Sequence, residues 1–283
     1  MIRDPRPRVT PVPVSRRAAL AGLLAAAAAA RAGPARPQVD ADRFDVTFVF
    51  TADVHACRLA DGPNPVCVEQ GKTQRALQRH VAAINRVPHH RWPDAIDGSP
   101  TGLHGAGEPI AFPRGLVVGG DITDNAGGEV ERPGQPLRQP GQPHLLPADS
   151  LQLVQFDELY RQGAGRDSVR FPVYVGLGNH DLDRDGPPDA FHGYREALRA
   201  YVKLIHMRTP GYEPPVPVTS YDAASDCYSW DWGGLHLVQT HRYPGDTTKG
   251  AVDSLPWIAR DLASRASDGR PVIVFLHYGW DPF

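Results

Sequence analysis

Four short apolar runs in this chain are each followed by carboxylates, amides or imidazoles, and this repetition constrains the fold more than any other feature. Residues 44–50 (FDVTFVF) lead into Asp53 and His55, residues 116–119 (LVVG) into Asp121, Asp124 and Asn125, residues 172–177 (PVYVGL) into Asn179, His180 and Asp181, and residues 272–276 (VIVFL) into His277. A fifth run, residues 235–240 (LHLVQT), precedes His241. Runs this short and rich in β-branched residues read as buried strands. Between them the apolar spacing turns helical, with Leu77, Val81 and Ile84 on one face of residues 74–85, and Phe191, Tyr194, Leu198, Tyr201 and Ile205 on one face of residues 190–206. Ser150 and Ser254 stand where helix N-caps are expected, the second with Pro256 in the first turn. Strands alternating with helices predict an α/β fold with a largely buried sheet. In such sheets, sites form beyond the carboxyl ends of the strands, so the polar residues should share one crevice.

Asp53, His55, Asp121, Asn179 and His277 supply oxygen and imidazole nitrogen without thiolate. That donor chemistry suits Mn, Fe or Zn in a working site rather than a structural cysteine-zinc site.

The N-terminal residues 1–32 read as an export signal, not as part of the fold. Arg3, Arg6, Arg8, Arg16 and Arg17 make a basic start, residues 18–30 are an apolar run of 13, and Ala30-Arg31-Ala32 has the small-x-small form of a cleavage site. The run is too short to span a bilayer comfortably. Ser15-Arg16-Arg17-Ala18-Ala19-Leu20 resembles the twin-arginine motif, with Ala19 where a bulky residue is usual. A periplasmic or extracellular protein is expected, with residues 33–283 as one domain and no stable membrane span after cleavage.

Residues 1–32 hold six Arg and one Asp, which leaves 24 basic and 31 acidic side chains beyond them, a formal charge of −7. Such acidity argues against a general grip on nucleic acid or on an anionic membrane. The three cysteines are too few for a disulfide scaffold. In an oxidising compartment Cys57 and Cys67 are placed to close a short loop, leaving Cys227 free; three unpaired thiols is the other reading. Residues 86–114 and 132–147 are rich in Pro and Gly and read as surface insertions near the strand ends.

The polar blocks resemble the signature of the calcineurin-like metallophosphoesterases, which runs D-x-H, G-D-x-x-D, G-N-H-[DE], a strand-ending His and G-H-x-H. The first four stand here in order as Asp53-Val54-His55, Gly120-Asp121-Ile122-Thr123-Asp124, Gly178-Asn179-His180-Asp181 and His277. The resemblance implies a layered α/β/β/α sandwich that holds two divalent or mixed-valence metal ions. It implies Asp53 and His55 on the first metal, Asp121 bridging both, and Asn179 and His277 on the second. His180 would stay off the metals as the acid for the leaving group, steadied by Asp124. The implied activity is hydrolysis of a small phosphate mono- or diester by hydroxide that the metals supply, since two cations about 3.5 to 4 Å apart clamp the attacking and leaving oxygens.

Two departures bear on this expectation. Asn125 stands where many members carry a phosphate-holding Arg, which weakens a protein-phosphatase reading, and no G-H-x-H occurs. The missing block is read as C-terminal truncation. The alternative is a catalytically incomplete metal-binding or interaction module with the same fold.

Other candidates have plainer readings. His241, after LHLVQT, is a further candidate for a substrate contact in the crevice and is not counted among the metal ligands. His89, His90 and His104 read as solvated loop residues, and Trp230 and Trp232 as strand packing, because no basic stripe accompanies them.

Overall fold

The computed structural model describes residues 45–59, 62–63, 65–124, 151–182, 192–208, 211, 213–241 and 254–277. The elements run β1 (Val49–Thr51), β2 (Arg58–Leu59), β3 (Gly62–Pro63), α1 (Pro65–Glu69), α2 (Gln74–Arg86), β4 (Ala95–Ile96), β5 (Ser99–Pro100), β6 (Leu116–Val118), α3 (Leu151–Tyr160), β7 (Val173–Val175), α4 (Asn179–Leu182), α5 (His192–His206), β8 (Ser220–Tyr221), β9 (Tyr228–Trp232), β10 (Leu235–Gln239), α6 (Leu255–Arg265) and β11 (Val272–Phe275). The fold is mixed α/β, as the strand and helix patterns predict.

Two sheets carry the core. The first is parallel with order β1-β6-β7; the second has order β11-β10-β9-β8, its β10–β11 pair parallel and the rest antiparallel. Every residue of β6 and β7 is buried, so these strands are apolar throughout. Within residues 45–50 the strand begins at Val49, which pairs with Leu116 on β6. The β9–β10 hairpin turns through Gly233 and Gly234, both at positive φ (52° and 91°), which suits a two-residue turn.

Aromatic side chains fill the contact between the sheets. Tyr174 of β7 stacks on Trp230 of β9 at 4.3 Å, and Phe48 meets Trp232 at 5.7 Å. Trp230 and Trp232 are thus core residues of β9. Two buried hydrogen bonds cross the same contact: Gln239 Nε2 donates to the Val118 carbonyl at 2.9 Å, and the Tyr228 hydroxyl to the Val175 carbonyl at 2.9 Å. Both end on the last residues of β6 and β7, so they set the position of the loops that follow.

Helix α2 buries Leu77, Val81 and Ile84, as its spacing predicts, and is capped by Thr73, whose hydroxyl accepts from Ala76 N–H at 3.1 Å. Such a cap contributes about 1 kcal/mol. Ser254 stands at the start of α6, but its backbone is helical and its side chain makes no cap hydrogen bond. Ser150 and residues 132–147 lie outside the described residues. The insertion at 86–114 is largely exposed and carries the small β4–β5 hairpin, with His89, His90 and His104 exposed. No helix among the described residues is long and apolar enough to cross a membrane.

Candidate metal centre

The loops after β1, β6, β7 and β11 meet at one place. Asp53 and His55 follow β1, Asp121 and Asp124 follow β6, Asn179 and His180 open α4 just after β7, and His277 lies two residues past β11. Backbone hydrogen bonds knit the first two loops: Asp53 N–H donates to the Gly120 carbonyl at 3.0 Å, and His55 N–H to the Asp121 carbonyl at 2.9 Å.

The backbone itself is constrained. Six non-glycine residues among those described have positive φ, and three of them are Asp53 (55°), His55 (48°) and Asp121 (51°). That conformation is costly for a residue with a Cβ and persists only where its surroundings enforce it. Two glycines make room. A Cβ at Gly120 would lie 2.6 Å from His277 Nδ1, and one at Gly178 would run into Asp121 Oδ1.

Two donor sets result, each within 4.8 Å across, and they share one residue: His55, Asp121 and His180 form one set; Asp53, Asp121 and His277 form the other. Asp121 is 2% exposed. Its Oδ2 lies 3.1 Å from His277 Nε2 and 3.7 Å from His55 Nε2, while its Oδ1 accepts from His180 N–H at 2.8 Å. Asn179 Oδ1 is 3.1 Å from the same His277 nitrogen. Asp53 Oδ1 lies 3.8 Å from His55 Nε2, at a side chain that is 62% exposed. All five sequence-predicted ligands are therefore brought together, and His180, expected to stay off the metals, also presents a nitrogen to the first set.

Asp124 serves the two histidines differently. Its carboxylate Oδ1 is 3.3 Å from His55 Nδ1, whereas its contact with His180 runs through the backbone carbonyl, which accepts from His180 Nδ1–H. That contact leaves the opposite nitrogen, Nε2, for other chemistry.

The charges reinforce one another. Burial would raise the Asp121 carboxyl, but His277 and His180 hold it below the usual range. Burial likewise acts against the Asp124 carboxylate, yet His55 and Lys72 bring it down to about 2. His277 is raised: burial opposes its charge and the Asp121 carboxylate outweighs burial.

Two important residues were assigned no role from the sequence. Asp181 is fully covered and accepts from Gly178 N–H at 2.8 Å, Ile122 N–H at 3.1 Å, Thr123 N–H at 2.9 Å and the Thr123 hydroxyl at 2.7 Å. It ties the β6 loop to the start of α4. Burial, with the Asp121 charge nearby, pushes its carboxyl up to about 6 against those donors. Its place in GNHD hinted only at another polar group. Lys72, whose Nζ is 2.5 Å from Asp124 Oδ1, comes from a loop with no motif.

His241 is not a substrate contact. It is buried at positive φ, its Nδ1 accepts from Leu177 N–H at 3.1 Å, and its Nε2–H donates to the Asp226 carbonyl at 2.6 Å. With both nitrogens engaged it is a brace, and its own carbonyl accepts from His277 N–H at 2.8 Å.

Cys57 and Cys67 form a disulfide, and Cys227 is buried and free. Asn125 lies outside the described residues.

No family model, no curated protein and no solved structure matches the chain.

Proposed function

We propose that this chain is a metal-dependent phosphoesterase of the calcineurin-like kind, hydrolysing a small phosphate mono- or diester. The observation that carries the proposal is the convergence of Asp53, His55, Asp121, Asn179 and His277 around the buried Asp121, at the ends of four strands and in the order of the four sequence blocks. Two sheets in contact through their aromatic faces, with the buried apolar residues of helices α2 and α3 in the same core as β6 and β7, support the layered α/β/β/α arrangement.

The donor set fits the metals. It offers carboxylate, amide and imidazole groups, while the nearest sulfurs are tied up in the Cys57–Cys67 disulfide. Oxygen and imidazole donors of this kind accept Mn, Fe or Zn. Asp53, His55, Asp121, Asn179 and His277 would hold two such ions, with Asp121 common to both. When bound, the pair polarises the phosphoryl oxygens and lowers the pKa of coordinated water toward about 7.

The protein's own groups do the rest. Gly120 and Gly178 let the loops approach closely enough for Asp121 to serve both sets. Asp124 O holds His180 by Nδ1–H, so the imidazole presents Nε2 to the departing ester oxygen and delivers a proton there as that oxygen leaves. A general acid of this kind contributes roughly a hundredfold to ten-thousandfold in rate, and more for a poor leaving group than for an activated one.

The test is Mn²⁺ or Fe²⁺ loading, with metal stoichiometry and turnover of mono- and bis-nitrophenyl phosphate measured on one sample. Two ions with turnover is the expected result, and the substrate ratio separates monoesterase from diesterase. His180→Ala should lose roughly a hundredfold or more on an alkyl phosphate and far less on the nitrophenyl esters. Metal without turnover on any ester would instead identify a binding module. Export is part of the same proposal and rests on residues 1–32, which lie outside the described residues; an N-terminus at Gly33 in secreted material, read by mass spectrometry, is the expected result.

A further inference from the structure

Lys72 stands outside both donor sets, yet it is the only Lys or Arg among the described residues ion-paired with the acids of the centre, Asp53, Asp121 and Asp124. Its Nζ lies 2.5 Å from Asp124 Oδ1, with the two side chains only 24% and 19% exposed. That same Oδ1 is 3.3 Å from His55 Nδ1, and the carbonyl of Asp124 receives His180 Nδ1–H. Asp124 is therefore a hub between the two histidines of one donor set, and Lys72 is the cation that holds the hub.

The loop carrying Lys72 is held in turn. Lys72 N–H donates to the Cys67 carbonyl at 2.7 Å, and Gly71, at a φ of 75°, turns the chain there with its own N–H on the Val68 carbonyl at 3.0 Å. Cys67 is bonded to Cys57, two residues beyond His55, and Cys57 N–H is fixed by Gln155 Oε1 at 2.8 Å. The path from His55 through Cys57, Cys67, Lys72 and Asp124 closes back on His55.

We propose that Lys72 is a positioning residue of the centre: carried by the disulfide-closed loop, its ammonium fixes Asp124 so that His55 and His180 keep their orientation toward the shared Asp121. The proposal deepens the metal reading above and rests on it. Groups that orient a metal-binding histidine without touching the metal typically matter tenfold to a hundredfold in affinity, which sets the size of the expected effect. Reduction by a dithiol would act in the same direction: two electrons and two protons convert the Cys57–Cys67 bond to two thiols as the dithiol closes to its own disulfide, and Lys72 loses its tether.

The experiment is calorimetric titration of Mn²⁺ into the full chain as wild type, Lys72→Met, Lys72→Arg and dithiothreitol-reduced wild type, with circular dichroism as the folding control. Lys72→Met should raise the Kd about tenfold or more, Lys72→Arg should stay within about threefold of wild type, and the reduced protein should weaken as Lys72→Met does. Unchanged affinity in Lys72→Met overturns the proposal, as does equal weakening in Lys72→Arg, because a purely packing role would not follow charge. If Lys72→Met does not fold, the reduced wild type decides, and unchanged affinity there overturns it. A wild type that binds no Mn²⁺ overturns the metal reading separately. The imidazole NMR signals of His55 and His180 in the metal-free chain then judge Lys72: signals moved by Lys72→Met support its positioning role, and unmoved signals overturn it.

Discussion

Five histidines of this molecule form two contrasting groups. His55, His180 and His277 stand at strand or helix ends among carboxylates, while His206 and His241 lie in the packed interior with main-chain partners at both ring nitrogens. His206 Nδ1–H donates to the Val216 carbonyl at 2.9 Å and its Nε2 accepts from Val175 N–H at 3.2 Å, which fixes its tautomer. Burial lowers its pKa to about 3 and also lowers that of His241. His277, by contrast, is raised by Asp121 despite burial. A histidine whose two nitrogens already serve the backbone has nothing left for a ligand.

His236 shows that carboxylate neighbours alone do not make a site. It sits between Asp261 at 2.8 Å and Asp231 at 2.9 Å, and the two acids outweigh burial and raise its pKa. Its side chain is 0% exposed, against 13% for His55. What separates the two is their partners: His55 lies beside the Asp121 that two donor sets share, and His236 clamps α6 to the second sheet.

The strongest way to break this contrast is Asp121→Ala. Both donor sets lose their common member, so Mn²⁺ affinity should fall by roughly a thousandfold or more, about 4 kcal/mol, in calorimetric titration. Asp181→Ala probes the frame instead. It strands three buried N–H groups and a hydroxyl, and urea unfolding should show a loss of about 3 kcal/mol.

His206 sharpens the comparison through pH. Its folded pKa is depressed below the unfolded value, so its contribution to stability is complete above pH 6.5 and is lost as pH falls toward about 3, at up to ~1.4 kcal/mol per pH unit. Unfolding curves of wild type and His206→Gln between pH 7.5 and 4 should therefore converge as the pH falls. Tyr228→Phe is the smallest change: it removes one hydroxyl donor to Val175 and should cost about 1 kcal/mol in urea unfolding.

These contrasts also explain what was legible in the sequence. Strands β6 and β7 could be read because burial on both faces demands unbroken apolar residues, and the five donors could be read because each follows a short apolar run. Asp181 could not, because its role depends on three N–H groups converging from two loops that are more than 50 residues apart in sequence. Lys72 was hidden for a related reason: its partner Asp124 is 52 residues away, and nothing local marks it. His241 looked like the other strand-ending histidines, and only the Leu177 and Asp226 backbone groups that it meets in three dimensions distinguish it. Ser254 shows the opposite failure, a good local signal without its hydrogen bond.

Gly178 has a consequence for how this centre tolerates change. Any replacement of a glycine by another amino acid adds a Cβ, and at this position the added atom collides with Asp121 Oδ1. Position 178 therefore has no neutral neighbours among single substitutions, even though glycine itself contributes no chemistry. Random mutagenesis selected for metal retention should leave this codon as intolerant as that of Asp121, and a lineage could change it only after moving the carboxylate that both donor sets share.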